Sequence, residues 1–581
     1  MPRSPRAPNP RPAASTGTDS FHRAKPTTAR IPIDRREFLR LAGAAALVGA
    51  IEGCTTKTPK PSGTSTPGAS ATPTPSTIAS QSSAAAASTP AATSAAPAVS
   101  SAAEATTVGD LDALAKLLGS RLLRPSDPGY LTASRLYSTR FDGVKPAAVA
   151  QCQSVSDVQR CLDFVRTTGT KVAARSGGHS YAGYSTTPGL VIDVGPMKQV
   201  TALDASTARV GAGATLIDVY AGLAAQNRSV PGGSCPTVGI TGSTLGGGVG
   251  VVARKYGLSC DALTAVELVT SDGHVVRASE NSESDLFWAH RGGGGGNFGV
   301  VTALEFRTHA TPSLTHFLVR WDWSHAHDVV TAWQEWLPTT PNELWSSLHI
   351  DGAGSSSDTP HVYASGVFVG SPAGLNPLLD ALQSAAKAPM TTRNVREDNY
   401  LPTMFVEGGC ASLSTLACHR ADTNPGGTLG REANAARSDF LAGPLPSAGV
   451  DVLLNGIEGR RGLGLPGGSV LFDAYGGAIN SIGASDTAFV HRDKLACLQY
   501  VAPWSVSAPA RTVAANQAWL DGVYAMMRPY VSGFAYLNYI DAKLPDWQHA
   551  YYGANLARLV SIKAATDPTD LLRFAQGVPT Q

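Results

Sequence analysis

The chain has 581 residues, 43% of them hydrophobic, with 46 Lys and Arg against 44 Asp and Glu. The balance is uneven: residues 1–60 hold 11 basic and 4 acidic side chains, and residues 104–581 hold 35 and 40, a net charge of −5. The basic excess therefore belongs to a leader, which argues against a nucleic-acid partner, since that needs a basic face on the folded body.

Residues 31–54 read IPIDRREFLRLAGAAALVGAIEGC. Arg35 and Arg36 precede Phe38, Leu39 and an apolar run from Leu41 to Ile51. That run is too short to span about 30 Å of hydrocarbon. A basic region before a short apolar run is an export signal, and the arginine pair indicates the twin-arginine route, although Asp34 stands where Ser or Thr is usual. Cys54 ends a segment similar to a bacterial lipoprotein cleavage box, with Glu52 fitting poorly. Either a lipid anchor at Cys54 or cleavage nearby and free secretion follows. Residues 61–103 are Ala, Ser, Thr, Pro or Gly at 40 of 43 positions and carry no charge. Such a stretch cannot offset its ordering entropy and reads as a linker. The expected product is extracellular or anchored at the cell surface.

In the body, apolar residues at helical spacing predict helices over 111–118, 151–165 and 216–226. Short apolar runs predict strands at 171–174, 190–194, 208–214, 265–270 and 300–306. Seven of the nine tryptophans lie between 313 and 535, where we read a second lobe whose ring faces offer stacking platforms for a sugar or polycycle, core packing being the plainer use. In YLNYID, 536–541, period-two alternation predicts a strand with Leu537, Tyr539 and Asp541 on one face. The fold class is α+β.

Thirteen histidines include no HExxH, eight cysteines no CxxC, and there is no GxSxG, so zinc and serine-hydrolase chemistry lack support. Gly294 to Gly299 matches GxGxxG but leads into a strand-like run, whereas the dinucleotide fingerprint opens a helix. Three glycine clusters remain: Gly177-Gly178, Gly232-Gly233 with Gly246-Gly247-Gly248, and Gly292 to Gly299. Glycines let main-chain N–H groups cradle a pyrophosphate, and His179 and Cys235 place nucleophiles in the first two.

The stretches RSGGHSYAGYS, PGGSCPTVGITGSTLGGGVG, RKYGLSCDAL and SDLFWAHRGGGGGNFGVVT resemble the FAD-binding domain of the berberine-bridge-enzyme-like flavoprotein oxidases. NYID and YYGANLARLVSIKAATDPTDLLRF resemble that family's C-terminal segment. The resemblance implies a PCMH-type FAD-binding domain over 106–312, an α+β substrate-binding domain over 313–535, and a segment, 536–581, returning to the FAD lobe; 1–54 is the signal and 55–105 the linker. It implies bicovalent FAD, through His179 to the 8α methyl and Cys235 to C6. Arg175, Ser176, Gly177, Gly178, Ser180, Gly239, Gly242, Ser243, Gly248, Val301, Tyr539 and Asn555 would complete the cofactor site.

The resemblance makes Tyr539 the catalytic base. A free tyrosine has a pKa of about 10, so a nearby cation or donated hydrogen bond is expected. Some members carry an acid just after the Gly-Gly matching Gly476-Gly477. Here Ala478 to Ser481 include none, which places more of the proton transfer on Tyr539. Ser243 stands where His is common in the family. Val238 resembles the small gate linked with oxygen access. The implied reaction is hydride transfer from an oligosaccharide or hydroxylated secondary metabolite to flavin, with O2 reduced to H2O2. The alternatives are a dehydrogenase with a non-oxygen acceptor and a non-catalytic, exported glycan-binding flavoprotein. No metal is expected, and the six cysteines from Cys152 onward other than Cys235 allow up to three disulfides.

Overall fold

The computed structural model describes residues 108–353, 357–465 and 467–581. The expectations for the signal, Cys54 and the linker lie outside the described residues.

Two sheets build the first lobe. Ala148–Gln151 and Val172–Arg175 both run parallel to Leu190–Asp193, which lies between them, and Leu122–Leu123 pairs antiparallel at the edge. The helix Val155–Thr168 connects the first two, with Val158, Cys161, Leu162 and Val165 buried. Its start is set by Ser154, whose hydroxyl accepts from the Asp157 N–H; Gln151, predicted as helical, instead ends the strand. The second sheet is antiparallel, in the order Val200–Ala202, Thr207–Gly211, Val300–Arg307, Leu263–Val269, Val275–Ser279.

The second lobe is one seven-stranded antiparallel sheet. Its order is Thr392–Asn399, Ser313–Trp321, His361–Val369, Leu344–Asp351, Ser469–Ala474, Ala496–Trp504, Ala433–Leu441. Helices cover one face: Trp333, on Ala326–Trp336, meets Phe472 edge-on at 6.0 Å and donates its indole N–H to Ser346. Successive side chains of a strand point to opposite faces, so Leu471 and Asp473, flanking Phe472, face the first lobe. The tryptophans are mostly core. Trp333, Trp336 and Trp519 donate to Ser346, Leu378 and Gly456 beneath the sheet and between helices. Only Trp345 of the seven lines the cavity between the lobes, which corrects the broader stacking expectation.

Buried polar contacts join the lobes. Arg492 grips both carboxylate oxygens of Asp261 at 2.7 and 2.9 Å, and Arg254 donates to the Thr340 hydroxyl and the Leu344 carbonyl. The C-terminal helix Leu556–Thr566 carries Lys563, fully buried, onto the glycine loop of the first lobe. Its ammonium donates to the Asn297 carbonyl (2.9 Å), the Leu572 carbonyl (2.8 Å) and Asp567 (2.6 Å). Lys563→Met strands the Asp567 carboxylate without its closest cation. An unfolding free energy about 3–5 kcal/mol lower is expected in denaturant titration.

The segment 536–541 is not a strand. Leu537–Tyr539 forms a 3-10 turn, because its N–H groups find partners off any ladder: Tyr536 donates to Ser438 Oγ, Tyr539 to the Tyr536 carbonyl and Asp541 to the Tyr551 hydroxyl. The turn brings Tyr536 and Tyr539 into edge-on contact at 5.0 Å, where alternation would have separated them. One disulfide is present among the described residues, Cys410–Cys418. Cys152, Cys161, Cys260 and Cys497 are free and buried.

Candidate active site

A cavity of about 490 Å³ opens between the glycine loops of the first lobe and the bare face of the seven-stranded sheet. The chain enters it at Arg175, the end of a parallel strand. One guanidinium nitrogen there bonds Asp193 (2.9 Å) and the Ala133 carbonyl (2.5 Å). The other terminal nitrogen, Nη1, is buried with no hydrogen-bond partner among the described residues. The next residues turn through Gly178 at φ +70°. Gly177 and Gly239 touch main chain to main chain: a Cβ at Gly177 would lie 2.2 Å from the Gly239 nitrogen. Loops 176–180 and 235–243 are thereby locked together, a packing open only to glycine. A Cβ at Gly242, by contrast, would meet nothing within 4 Å, so that wall admits a ring against the backbone.

His179 stacks on Tyr137, centroids 3.9 Å apart and planes 17° from parallel, and its Nε2 lies 2.9 Å from the Thr237 hydroxyl. Burial and the Arg420 charge hold its pKa down to about 3, so the imidazole is neutral. Burial, reinforced by Glu432, pushes the Cys235 thiol up to about 12, against hydrogen bonds from Thr237.

Across the cavity, Tyr539 donates its hydroxyl to Asp473 at 3.1 Å, and Ser347 donates to the other carboxylate oxygen at 3.3 Å. Tyr181 stacks on Tyr539 at 5.6 Å, its own hydroxyl taking a hydrogen bond from Gln499. The expected cation beside Tyr539 is not what the structure places there. Burial and the Asp473 charge hold the phenol well above its ordinary range. Asp473, raised by burial to about 6, is the group that takes up a proton near neutrality. If it must be ionised, kcat should fall as pH drops through about 6 in wild type, and Asp473→Asn should abolish that limb in a pH–rate series.

Every cofactor-site residue singled out from the sequence lines this cavity except Gly248 and Asn555. Gly248 lies behind the wall, donating its N–H to the Tyr536 hydroxyl at 2.9 Å. Asn555 is a structural clamp whose amide donates to the carbonyls of Ala484 and Thr487. Sequence reasoning missed Asp473, Thr237, Gln499 and Glu432. For Asp473 a signal existed, an acid on the apolar run SVLFDA just ahead of Gly476-Gly477.

Main-chain donors, a buried guanidinium nitrogen without a partner and glycine walls make a cradle for an anionic nucleotide carrying a flat ring. The residues present fit FAD. The site defines a flavin-dependent oxidoreductase. Residues 146–279 match the family model described as FAD binding domain, and residues 535–579 the one described as berberine and berberine like. The FAD-linked oxidoreductase YgaK of Bacillus subtilis (strain 168) is 31% identical over 470 residues, 80% of this chain and 97% of its own. The structure of BBE-like 1 from Physcomitrella patens matches with a TM-score of 0.73 at 31% identity, covering 81% of this chain and 99% of that one. A chitooligosaccharide oxidase matches with a TM-score of 0.72 at 26% identity, over the same shares. The chain belongs to the berberine-bridge-enzyme-like family of FAD-linked oxidoreductases.

Proposed function

We propose that this enzyme is an oxidase that carries FAD on two covalent links, at His179 and Cys235, and oxidises a carbinol carbon of an oligosaccharide or a hydroxylated secondary metabolite. The observation that carries this reading is the half-buried, hydrogen-bonded Tyr539–Asp473 pair in the same cavity as those two nucleophiles. A substrate hydroxyl docks on the Tyr539 oxygen. Its proton passes to that oxygen as the tyrosine's own proton passes to Asp473, so no free phenolate is needed. A positioned base of this kind is typically worth 10²–10⁴ in rate. Tyr181, itself held by Gln499, stacks on the phenol ring and keeps it in place. Bound FAD would supply the hydride acceptor and deliver the electrons to O2 as H2O2.

A carbohydrate is favoured by the lining itself, which carries the Trp345 ring and the polar side chains of Asn434 and Gln499 at separate places on the same sheet face. The likeness to a chitooligosaccharide oxidase supports the same substrate class. The test is peroxide release from purified enzyme with chito-, xylo- and cello-oligosaccharides against simple alcohols. A flavin that substrate bleaches but air does not recolour would instead assign a dehydrogenase. Export through the twin-arginine route is part of the proposal: Arg35→Lys with Arg36→Lys should leave the protein in the cytoplasm, read by cell fractionation.

A further inference from the structure

We propose that Ser347 is a positioning residue for the proton transfer: its hydroxyl donates to one oxygen of Asp473 and so reserves the other for the proton that Tyr539 gives up. This rests on the Tyr539–Asp473 relay read above. The register of the seven-stranded sheet fixes the arrangement. Ser347 lies directly opposite Asp473 on the neighbouring strand, and Ser365 lies opposite Ser347 on the strand beyond. Opposed residues share a face, so all three side chains stand on the side turned to the first lobe. Ser347 is 4% exposed. Its hydroxyl donates to Asp473 Oδ1 at 3.3 Å, while the Tyr539 hydroxyl donates to Oδ2 at 3.1 Å. The Ser365 hydroxyl bonds His349 Nε2 at 3.2 Å rather than the carboxylate.

A protonated carboxyl has one O–H and one oxygen that still accepts. With the Ser347 hydrogen on Oδ1, a proton arriving at Asp473 settles on Oδ2, in line with the Tyr539 oxygen. In the forward step the substrate O–H breaks as an O–H forms on Tyr539, and the phenol O–H breaks as one forms on Oδ2. The negative charge passes from the carboxylate to the substrate oxygen, whose carbon then gives up its hydride to FAD. Without the serine either carboxylate oxygen can hold the proton, and a proton on Oδ1 is out of line for its return. The same hydrogen bond favours the charged carboxylate over the neutral acid, against burial, which raises Asp473 to about 6.

The other titratable groups that act on Asp473 keep their charge state around that pH. Tyr539, Tyr181, Cys497 on the strand to its other side and Tyr475 on its own strand are all raised by burial. His349, behind Ser365, is held down to about 3 by burial and Arg320. Glu432, the second acid of the lining, is bonded by Asn434.

The test compares Ser347→Ala, which removes the donor, with Ser347→Thr, which keeps it. In the alanine variant the acid limb of kcat should move up by at least about 0.5 pH unit, a roughly threefold gain in proton affinity, with KM little changed. The threonine variant should keep the wild-type limb. A second readout needs no turnover: infrared difference spectra follow, against pH, the carboxyl band that Asp473→Asn removes, and its midpoint should move with the limb. A limb and band at the wild-type pH in the alanine variant overturn the inference. So does a threonine variant that shifts as the alanine variant does, which would assign the effect to packing. Should the alanine variant not fold, Ser347→Gly takes its place. A wild-type enzyme in which Asp473→Asn removes no titrating band sinks the relay reading instead, a result the same spectra distinguish.

Discussion

Replacing Tyr539 by Phe is expected to lower kcat by about 10²–10⁴-fold, the usual contribution of a positioned proton acceptor, with KM changed far less. The substitution deletes one oxygen and leaves the ring where Tyr181, stacked at 5.6 Å, and Tyr536, edge-on at 5.0 Å, hold it. What is lost is the link between substrate hydroxyl and carboxylate. Asp473 remains behind the missing oxygen, hydrogen-bonded to Ser347 and out of line with the substrate proton. The acid limb near pH 6 should therefore shrink along with the rate. Steady-state kinetics of the variant on the substrate identified by peroxide release checks this, and turnover equal to wild type removes Tyr539 from the mechanism.

His179→Ala combined with Cys235→Ala is expected to abolish covalent flavin, whereas the intact wild-type chain should weigh more by one FAD. The single variants should differ in rate as well as in site. With its pKa held near 3 by burial and Arg420, His179 offers a free nitrogen lone pair throughout the physiological range. With its thiol pushed up to about 12, Cys235 offers only about 10⁻⁴ of its population as thiolate at pH 8. The histidine link in Cys235→Ala should thus form at a rate insensitive to pH, and the cysteine link in His179→Ala should accelerate about tenfold per pH unit. Intact mass spectra taken over a time course of FAD loading of apoprotein measure both rates, and covalent flavin surviving in the double variant would move a link elsewhere.

The two lobes' local elements were legible where the pattern was strong. Val158, Leu162 and Val165 sit at helical spacing and are buried as that spacing requires, and the runs LVID and VVTALEF form the strands expected of them. The glycine clusters with His179 and Cys235 were legible for another reason. Only glycine permits the backbone contact of Gly177 with Gly239, and a nucleophile beside such a contact is chemically specific. The turn at Leu537–Tyr539 was not legible, because its hydrogen bonds go to Ser438 and Tyr551, residues 98 and 10 positions away. Nor was the partnership of Tyr539 with Asp473, which are 66 residues apart and meet only because a 3-10 turn faces the open side of the sheet.

By itself the sequence determined the chemical inventory: which side chains can attack a flavin, which phenol can pass a proton, and where the backbone comes close enough to hold a nucleotide. The tertiary structure decided how that inventory works. Burial between two lobes favoured the neutral histidine, raised Asp473 into the titrating range and left Tyr539 bonded to a carboxylate, with no cation bonded to its hydroxyl among the described residues. Desolvation and long-range contact belong to the folded cavity and to no local stretch of chain.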